Sequence, residues 1–154
     1  MTAVRHRPAA RLLVLSPAQR VLLFHFSFTQ GPYLNRDFWA TPGGGVEGGE
    51  TFEQAALREL AEEVGPGDYR LGPQVAERGF EMLMPDGERV RAEERYFTVR
   101  LPSEISPVPD GWTPEERGSM KAHRWWSLDE LRQTRETVYP THLVDLLVPL
   151  LRAG

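Results

Sequence analysis

Acidic side chains crowd the second half of a helix that is predicted directly after a glycine-rich segment. Five of the seven residues at 43–49 are glycines. Thr51 with Gln54 three residues later forms a capping box, and Gly65 supplies the residue usually found just beyond a helix end. These signals predict a helix over residues 52–64. One face of it carries three carboxylates, those of Glu59, Glu62 and Glu63.

This acidic face is unfavourable for an isolated helix. The helix dipole opposes the negative charges of Glu62 and Glu63 in the last turn by roughly 0.3–1 kcal/mol each. Glu59 and Glu63 are also four residues apart, so their charges repel each other. A hard divalent cation such as Mg²⁺ or Mn²⁺ reverses the sign of these interactions, because such ions prefer oxygen ligands. The alternative interpretation is a solvated helix face, since surface helices are commonly acidic.

The glycines favour the metal-binding interpretation. A segment with so little side-chain bulk lets backbone N–H groups approach an anion closely, and here it leads straight into the acidic helix. Together the two features indicate a phosphate-bearing substrate that is bridged to the protein by metal. Arg58 lies one turn before Glu62 and is expected to hold that carboxylate by a charge-assisted hydrogen bond. The helix is expected to pack on the core through Ala56, Leu57, Leu60 and Val64.

The spacing of these residues resembles the Nudix box, G-x5-E-x7-R-E-U-x-E-E-x-G-U, where U is a bulky apolar residue. Every fixed letter is present at the right distance, beginning with Gly44 and Glu50. The last apolar position holds Pro66 instead. In the family this position packs beneath the box, so the departure concerns stability more than activity. Two flanking segments, residues 38–42 and 125–131, also resemble the family.

On these residues the chain is identified as a member of the Nudix hydrolase family. The resemblance implies an α/β protein, a three-layer α/β/α sandwich with a mixed β-sheet, in which residues 1–154 form a single domain. Mixed strands with helices on both faces predict the same layers. The implied reaction is hydrolysis of the pyrophosphate bond of a nucleoside diphosphate linked to another moiety. Metal-activated water is the expected nucleophile, because cations screen the phosphate charge and lower the pKa of bound water.

The resemblance also implies roles for the acidic side chains of the box. Glu59 and Glu63 are the expected direct ligands of Mg²⁺ or Mn²⁺. Glu62 is expected to be a ligand or a supporting group that is needed for catalysis, and Glu50 contributes to the metal site from the loop. Arg58 is the orienting partner of these carboxylates. Replacing Glu63 by Gln is expected to remove activity and to leave folding intact.

Other site residues are expected outside the acidic helix face. The backbone of Gly44 and Gly45 is expected to contact the metal through a carbonyl or the substrate through N–H groups. Tyr33 and Trp112 lie in polar loops and are the candidates for stacking on a base. Glu116 is the preferred general base, because some family members carry this group in the loop before the tryptophan strand. The other candidates are Glu93, Glu94 and Glu115.

Composition restricts the remaining possibilities. The absence of cysteine excludes disulfides, thiolate zinc sites and a cysteine nucleophile. The formal charge of −4 argues against a general nucleic-acid duplex binder, whereas a small nucleotide carried in with its cation meets no such objection. No apolar run is long enough for a membrane span and no cleavable leader is visible, so a cytoplasmic location is expected. The resemblance allows a homodimer.

The rest of the chain predicts two hairpins and two further helices. Pro85-Asp86-Gly87 marks the second hairpin turn, with glycine where a positive φ is wanted. The long polar segment 102–119 is typical of a lid or binding loop. Strands are expected over 10–15, 21–26, 38–41, 74–84, 89–101 and 123–126, and helices over 128–135 and 141–151.

The strand over 89–101 is expected to have one covered face and one more polar face. Phe97, Val99 and Leu101 alternate along it with Tyr96, Thr98 and Arg100.

Two alternatives come from other functional classes. A non-catalytic Nudix-fold sensor module would bind nucleotides without hydrolysis, but such domains usually lose box carboxylates and this chain keeps all of them. An isomerase on the same scaffold would need a reactive cysteine, which this chain lacks. The features that mark substrate subgroups in the family are absent or displaced. The resemblance therefore leaves the nucleotide derivative open.

Overall fold

The structure is a computed structural model that describes residues 4–28, 31–32, 34–107 and 120–151. The strands are β1 (Arg5–Leu15), β2 (Val21–Ser27), β3 (Asp37–Ala40), β4 (Gly43–Gly45), β5 (Gln74–Leu83), β6 (Arg89–Arg100), β7 (Met120–Trp126) and β8 (Val138–Tyr139). The helices are α1 (Phe52–Glu63), α2 (Leu128–Gln133) and α3 (Leu143–Leu147). In this described part of the chain, no helix combines the length and apolar character needed to cross a membrane.

The strands form one mixed sheet in the order β5-β6-β1-β2-β3-β8, with β4 paired to β1 and β7 paired to β2. β1 runs parallel to β6 along its whole length, from Arg5 opposite Val90 to Leu15 opposite Arg100. β1 meets β2 only at the predicted hairpin turn, where Leu15 lies opposite Val21. Beyond that turn β4 takes the place of β2 beside β1, which brings the glycines into the sheet.

Hydrophobic residues cover both faces of this sheet. The face that packs on α1 is formed by β1 residues such as Leu12 and Val14 and by Phe97 of β6. The opposite face carries Leu13 and Tyr96 and packs on α2 and α3. Because each face must be shielded from water, the sheet lies between two helical layers. The predicted three-layer α/β/α sandwich is thereby confirmed.

The predicted polar face of β6 is wrong. Tyr96 and Thr98 are 1% and 6% exposed, although Arg100 is exposed as expected. β6 lies between β5 and β1, and residues 96–99 are buried on both faces of the sheet. The apolar stripe of α1 differs in one position, because Leu57 is 39% exposed and Ala55 is buried in its place.

The two C-terminal helices are shorter than predicted. The capping box of Ser127 and Glu130 is present, but α2 ends at Gln133 because Thr134 has an extended backbone with ψ of 145°. The helix expected over 141–151 is limited to α3, and turns follow it up to residue 150. The helical spacing of apolar residues over 141–151 nevertheless predicted which side chains are buried. The buried positions of this region are Leu143, Leu147 and Leu151.

The second predicted hairpin is confirmed. β5 and β6 pair antiparallel from Leu83 opposite Arg89 onward. The N–H of Gly87 donates to the carbonyl of Met84 at 2.8 Å, and Gly87 has φ of +92°.

Candidate functional site

The glycine segment and the acidic helix adjoin in the structure as strand β4 followed by helix α1. Gly43–Gly45 form a short strand antiparallel to β1, where a loop was expected. α1 begins with the predicted capping box, in which the N–H of Gln54 donates to Oγ1 of Thr51 at 3.1 Å and the N–H of Thr51 donates to Oε1 of Gln54 at 2.9 Å. The start of the helix is therefore fixed by its own sequence. In the later turns of α1, the carboxylates of Glu59 and Glu63 face β4.

Glu63 is buried against the first residue of β4. Its side chain accepts a hydrogen bond from the N–H of Gly43 at 2.7 Å, and the residue is only 2% exposed. Gly43 has φ of +137°, and a Cβ at this position would lie 2.2 Å from the carbonyl oxygen of Ala10. Only glycine fits this conformation, so the backbone that holds Glu63 depends on the residue type at position 43.

Glu59 is buried against the next residue of β4. It is 7% exposed, and a Cβ on Gly44 would lie 2.4 Å from its Oε1 atom. The absence of a side chain on Gly44 thus makes room for the carboxylate. The structure brings together three residues that the sequence assigned to the metal site, Gly44, Glu59 and Glu63.

Arg58 joins the helix to the loop that precedes it. Its Nε and Nη2 atoms donate to the two carboxylate oxygens of Glu50 at 2.7 and 2.9 Å. Nη1 donates to Glu59 at 2.9 Å, and Nη2 also donates to the carbonyl oxygen of Gly45 at 2.9 Å. The hydrogen bonds to Glu50 raise the pKa of Arg58, and Arg58 in turn lowers the pKa of Glu50 to about 2. This is the bidentate geometry that makes arginine–carboxylate pairs strong.

The predicted pair of Arg58 with Glu62 is present but secondary. Nη1 of Arg58 lies 3.4 Å from Glu62, whose side chain is 35% exposed, compared with 19% for Glu50. Helical spacing identifies partners one turn away on the same helix, whereas Glu50 approaches from the preceding loop. Glu62 is therefore more accessible than Glu50 and Glu59.

The donor chemistry of this site fits a hard divalent cation. Carboxylate and carbonyl oxygens are the ligands that Mg²⁺ and Mn²⁺ prefer, and the burial of Glu59 and Glu63 one turn apart brings two like charges together away from water. Arg58 forms ion pairs with four carboxylates, those of Glu47, Glu50, Glu59 and Glu62, and carries one charge. In the residues that the structure describes, no three acidic or histidine side chains already converge in the geometry of a metal site. Arg58 lies between several of the donors that a cation would use.

The remaining candidates from the sequence contact residues other than Glu59 and Glu63 or lie outside the described residues. A Cβ on Gly45 would lie on the sheet face opposite that of Gly44, at 3.4 Å from the guanidinium of Arg7. Glu93 is paired with His6 at 3.0 Å and with Arg95 at 3.1 Å. The candidates Tyr33, Trp112, Glu115 and Glu116 lie outside the described residues.

Glu94 forms a buried pair with a residue that sequence reasoning did not single out. It accepts hydrogen bonds from Nε of Arg11 at 2.9 Å and from the hydroxyl of Tyr96 at 3.0 Å. Arg11 and Arg7 belong to β1, on the sheet face opposite α1. The available signal was the interruption of an apolar strand by a charged residue at position 11.

Comparisons with known proteins agree with the box and the fold. A model of the NUDIX domain matches residues 5–146. An RNA pyrophosphohydrolase of Wolbachia pipientis subsp. Culex pipiens (strain wPip) is 32% identical over 101 residues, which are 61% of this chain and 61% of that protein. The chain thus spans less than two thirds of the length of that relative. An RNA pyrophosphohydrolase of Pseudomonas paraeruginosa (strain DSM 24068 / PA7) is 30% identical over 131 residues, covering 77% of this chain and 81% of that protein.

A solved structure shows the same fold. The crystal structure of the MutT protein from Methanosarcina mazei Go1 superposes with a TM-score of 0.69 at 18% sequence identity, covering 96% of this chain and 94% of that one. With the domain match over most of the chain and every fixed letter of the motif around α1, the chain belongs to the Nudix family.

Proposed function

We propose that the protein hydrolyses the pyrophosphate bond of a nucleoside diphosphate linked to another moiety, with the help of Mg²⁺ or Mn²⁺. The observation that carries this proposal is the burial of Glu59 and Glu63 against the backbone of β4. Two buried carboxylates one turn apart repel each other, and a bound divalent cation would offset that repulsion in addition to the contacts from Arg58 and from the N–H of Gly43. The names of the two relatives describe pyrophosphohydrolases, which supports cleavage of a phosphoanhydride.

The cation would be held by Glu59, Glu63 and the backbone of Gly44, with Glu62 and Glu50 as further donors. When bound, such an ion screens the phosphate charge and lowers the pKa of its water. Arg58 positions these donors, because it holds Glu50 with two hydrogen bonds and Glu59 with a third. We assign the general base to Glu116, in the segment outside the described residues.

The experiment that tests this proposal measures Mg²⁺-dependent phosphate or nucleoside monophosphate release. The panel consists of nucleotide sugars, dinucleoside polyphosphates, modified nucleoside triphosphates and nucleotide cofactors. We expect at least one class to be hydrolysed, and Glu63→Gln to lower the rate by about 100-fold or more with an unchanged circular dichroism spectrum. Glu53→Gln is the matched control, because Glu53 is an exposed residue of the same helix.

The competing hypothesis is a nucleotide-binding module without hydrolysis. It predicts that members of the panel bind in calorimetry while none is cleaved with either metal. Full activity of the Glu63→Gln protein would contradict the assignment of Glu63.

A further inference from the structure

The guanidinium of Arg58 is divided between two sets of acceptors. Nε and Nη2 form a fork that binds both carboxylate oxygens of Glu50, at 2.7 and 2.9 Å, and Nη2 also donates to the carbonyl oxygen of Gly45 at 2.9 Å. The remaining nitrogen, Nη1, donates to Glu59 at 2.9 Å and to Glu62 at 3.4 Å. The fork therefore faces the segment before α1, whereas Nη1 faces the carboxylates of α1 itself.

The fork is the better anchored part of this side chain. A bidentate arginine–carboxylate pair fixes the geometry of its two partners and is strong for that reason. Nη1 has three carboxylates around it instead, those of Glu59 at 2.9 Å, Glu62 at 3.4 Å and Glu47 at 3.7 Å. Loss of the Nη1 contacts would leave the hydrogen bonds to Glu50 in place. The guanidinium can thus stay attached by the fork while Nη1 exchanges partners.

The acceptors of Nη1 are also proposed ligands of the cation. Oε1 of Glu59 accepts the hydrogen bond from Nη1, and both oxygens of this carboxylate lie close to Gly44. The side chains of Arg58 and Glu59 are only 22% and 10% exposed, so solvent screens the charges around this contact less than it does at the surface. A divalent cation at Glu59 would therefore be repelled by the charge of Nη1. Without metal, that same charge offsets the repulsion between Glu59 and Glu62.

We propose that Arg58 is an internal counter-charge that competes with the divalent cation. Nη1 withdraws from Glu59 and Glu62 when the cation binds, while the fork stays on Glu50. The inference rests on the proposed function, because it concerns the cation assigned there, and it adds a control of metal affinity. Arg58 keeps the acidic face of α1 neutralised until metal arrives, and its charge sets how tightly that metal is held.

The sign of one coupling distinguishes competition from a purely supporting role. Coupling between two bound groups is reciprocal, so a contact that the cation weakens must itself weaken binding of the cation by the same factor. Removal of the Nη1 charge then tightens metal binding. If Arg58 acted only by positioning the donors, its removal would loosen them and weaken metal binding.

Calorimetric titration of MnCl₂ into the substrate-free protein measures this sign. Arg58→Gln removes the charge and keeps an amide donor for Glu50 or Gly45. We expect its dissociation constant for Mn²⁺ to fall by about 5-fold or more relative to wild type. Arg132→Gln is the control, because Arg132 is an exposed arginine that pairs with Asp129 at 3.6 Å on another helix. Its replacement should change the constant by less than about two-fold.

Nitrogen NMR spectroscopy of the wild-type protein tests the withdrawal of Nη1 without relying on the folding of Arg58→Gln. Hindered rotation about the Cζ–Nη1 bond reports the contacts of Nη1, and solvent exchange of the Nε proton reports the fork. The conservative variant Arg58→Lys identifies the signals of Arg58. We expect saturating MgCl₂ to speed the rotation of Nη1 and to leave the exchange of the Nε proton unchanged.

Three results would overturn the inference. They are equal or weaker Mn²⁺ binding by folded Arg58→Gln, absence of Mn²⁺ binding in both proteins, and unchanged rotation of Nη1 at saturating Mg²⁺. Metal-dependent hydrolysis of a panel substrate by the wild type would still leave the proposed function standing. If no substrate is hydrolysed, tighter Mn²⁺ binding by Arg58→Gln would nevertheless support the competition at Glu59.

Discussion

The carboxylate of Glu63 accepts a hydrogen bond at 2.7 Å from the N–H of Gly43, twenty positions earlier in the chain. This contact joins the last turn of α1 to the first residue of β4. It places a buried negative charge at the point where β1, β4 and the helix meet. The carboxylate and the backbone that holds it are thus one structural unit, and each can be tested by substitution.

Gly43→Ala is expected to destabilise the fold. A methyl group at this position would lie 2.2 Å from the carbonyl oxygen of Ala10, and φ of +137° is strained for alanine. We expect the free energy of unfolding to fall by about 2 kcal/mol or more, measured by urea denaturation. Gly48→Ala is the control, since a Cβ there meets nothing within 4 Å, and it should change stability by no more than about 1 kcal/mol. Equal stabilities of the two variants would refute this account of Gly43.

Gly44→Ala is expected to impair activity more than stability. The added methyl group would meet the carboxylate of Glu59 at 2.4 Å, and this is the end of a flexible side chain that can move aside. Movement of Glu59 disturbs the proposed cation site, so we expect a loss of about 10–100-fold in kcat/KM. Steady-state kinetics and thermal unfolding on the same sample separate the two effects. A fully active variant would show that the position of Glu59 is unimportant for catalysis.

Local signals in the sequence were sufficient for the elements around the site. The capping box of Thr51 and Gln54 fixed the start of α1, and the turn at Gly87 fixed the second hairpin. Both features depend on residues within a few positions of each other, so the sequence pattern alone was enough to predict them. The fold class followed because the box motif is specific to one family.

Contacts between distant segments were not predictable from spacing. Helical periodicity offered Glu62 as the partner of Arg58, whereas the tightest contacts are with Glu50 in the preceding loop. The burial of Tyr96 could be predicted only with the knowledge that β6 lies between two other strands of the sheet.

The ion pair of Glu50 and Arg58 predicts a specific acid dependence of stability. In the folded state Arg58, and then the N–H of Glu47, lower the pKa of Glu50 from 4.5 to about 2. The unfolded chain therefore binds the proton first as the pH falls, and the contribution of Glu50 to stability is present above pH 4.5 and is lost toward pH 2. Urea denaturation in metal-free buffer should show a stability difference between wild type and Glu50→Gln that shrinks over this interval.

Arg58→Ala provides the control for this acid dependence. It removes the main cause of the lowered pKa, so replacing Glu50 in that background should give a much smaller pH-dependent difference. A difference that stays constant from neutral to acidic pH in the wild-type background would show that Glu50 titrates normally.

Magnesium is expected to stabilise the wild-type protein by binding at Glu59 and Glu63. A ligand that binds only the folded state adds RT ln(1 + [L]/Kd) to the free energy of unfolding, which is about 2.7 kcal/mol at a hundred-fold excess over Kd. Thermal unfolding with increasing MgCl₂ should therefore raise the Tm of the wild type and of the control Glu53→Gln alike. Glu59→Gln and Glu63→Gln should respond much less, because each replaces a charged oxygen ligand by a neutral amide. The same Tm increase in all four proteins would mean that magnesium binds elsewhere, and the buried carboxylates would then need another explanation.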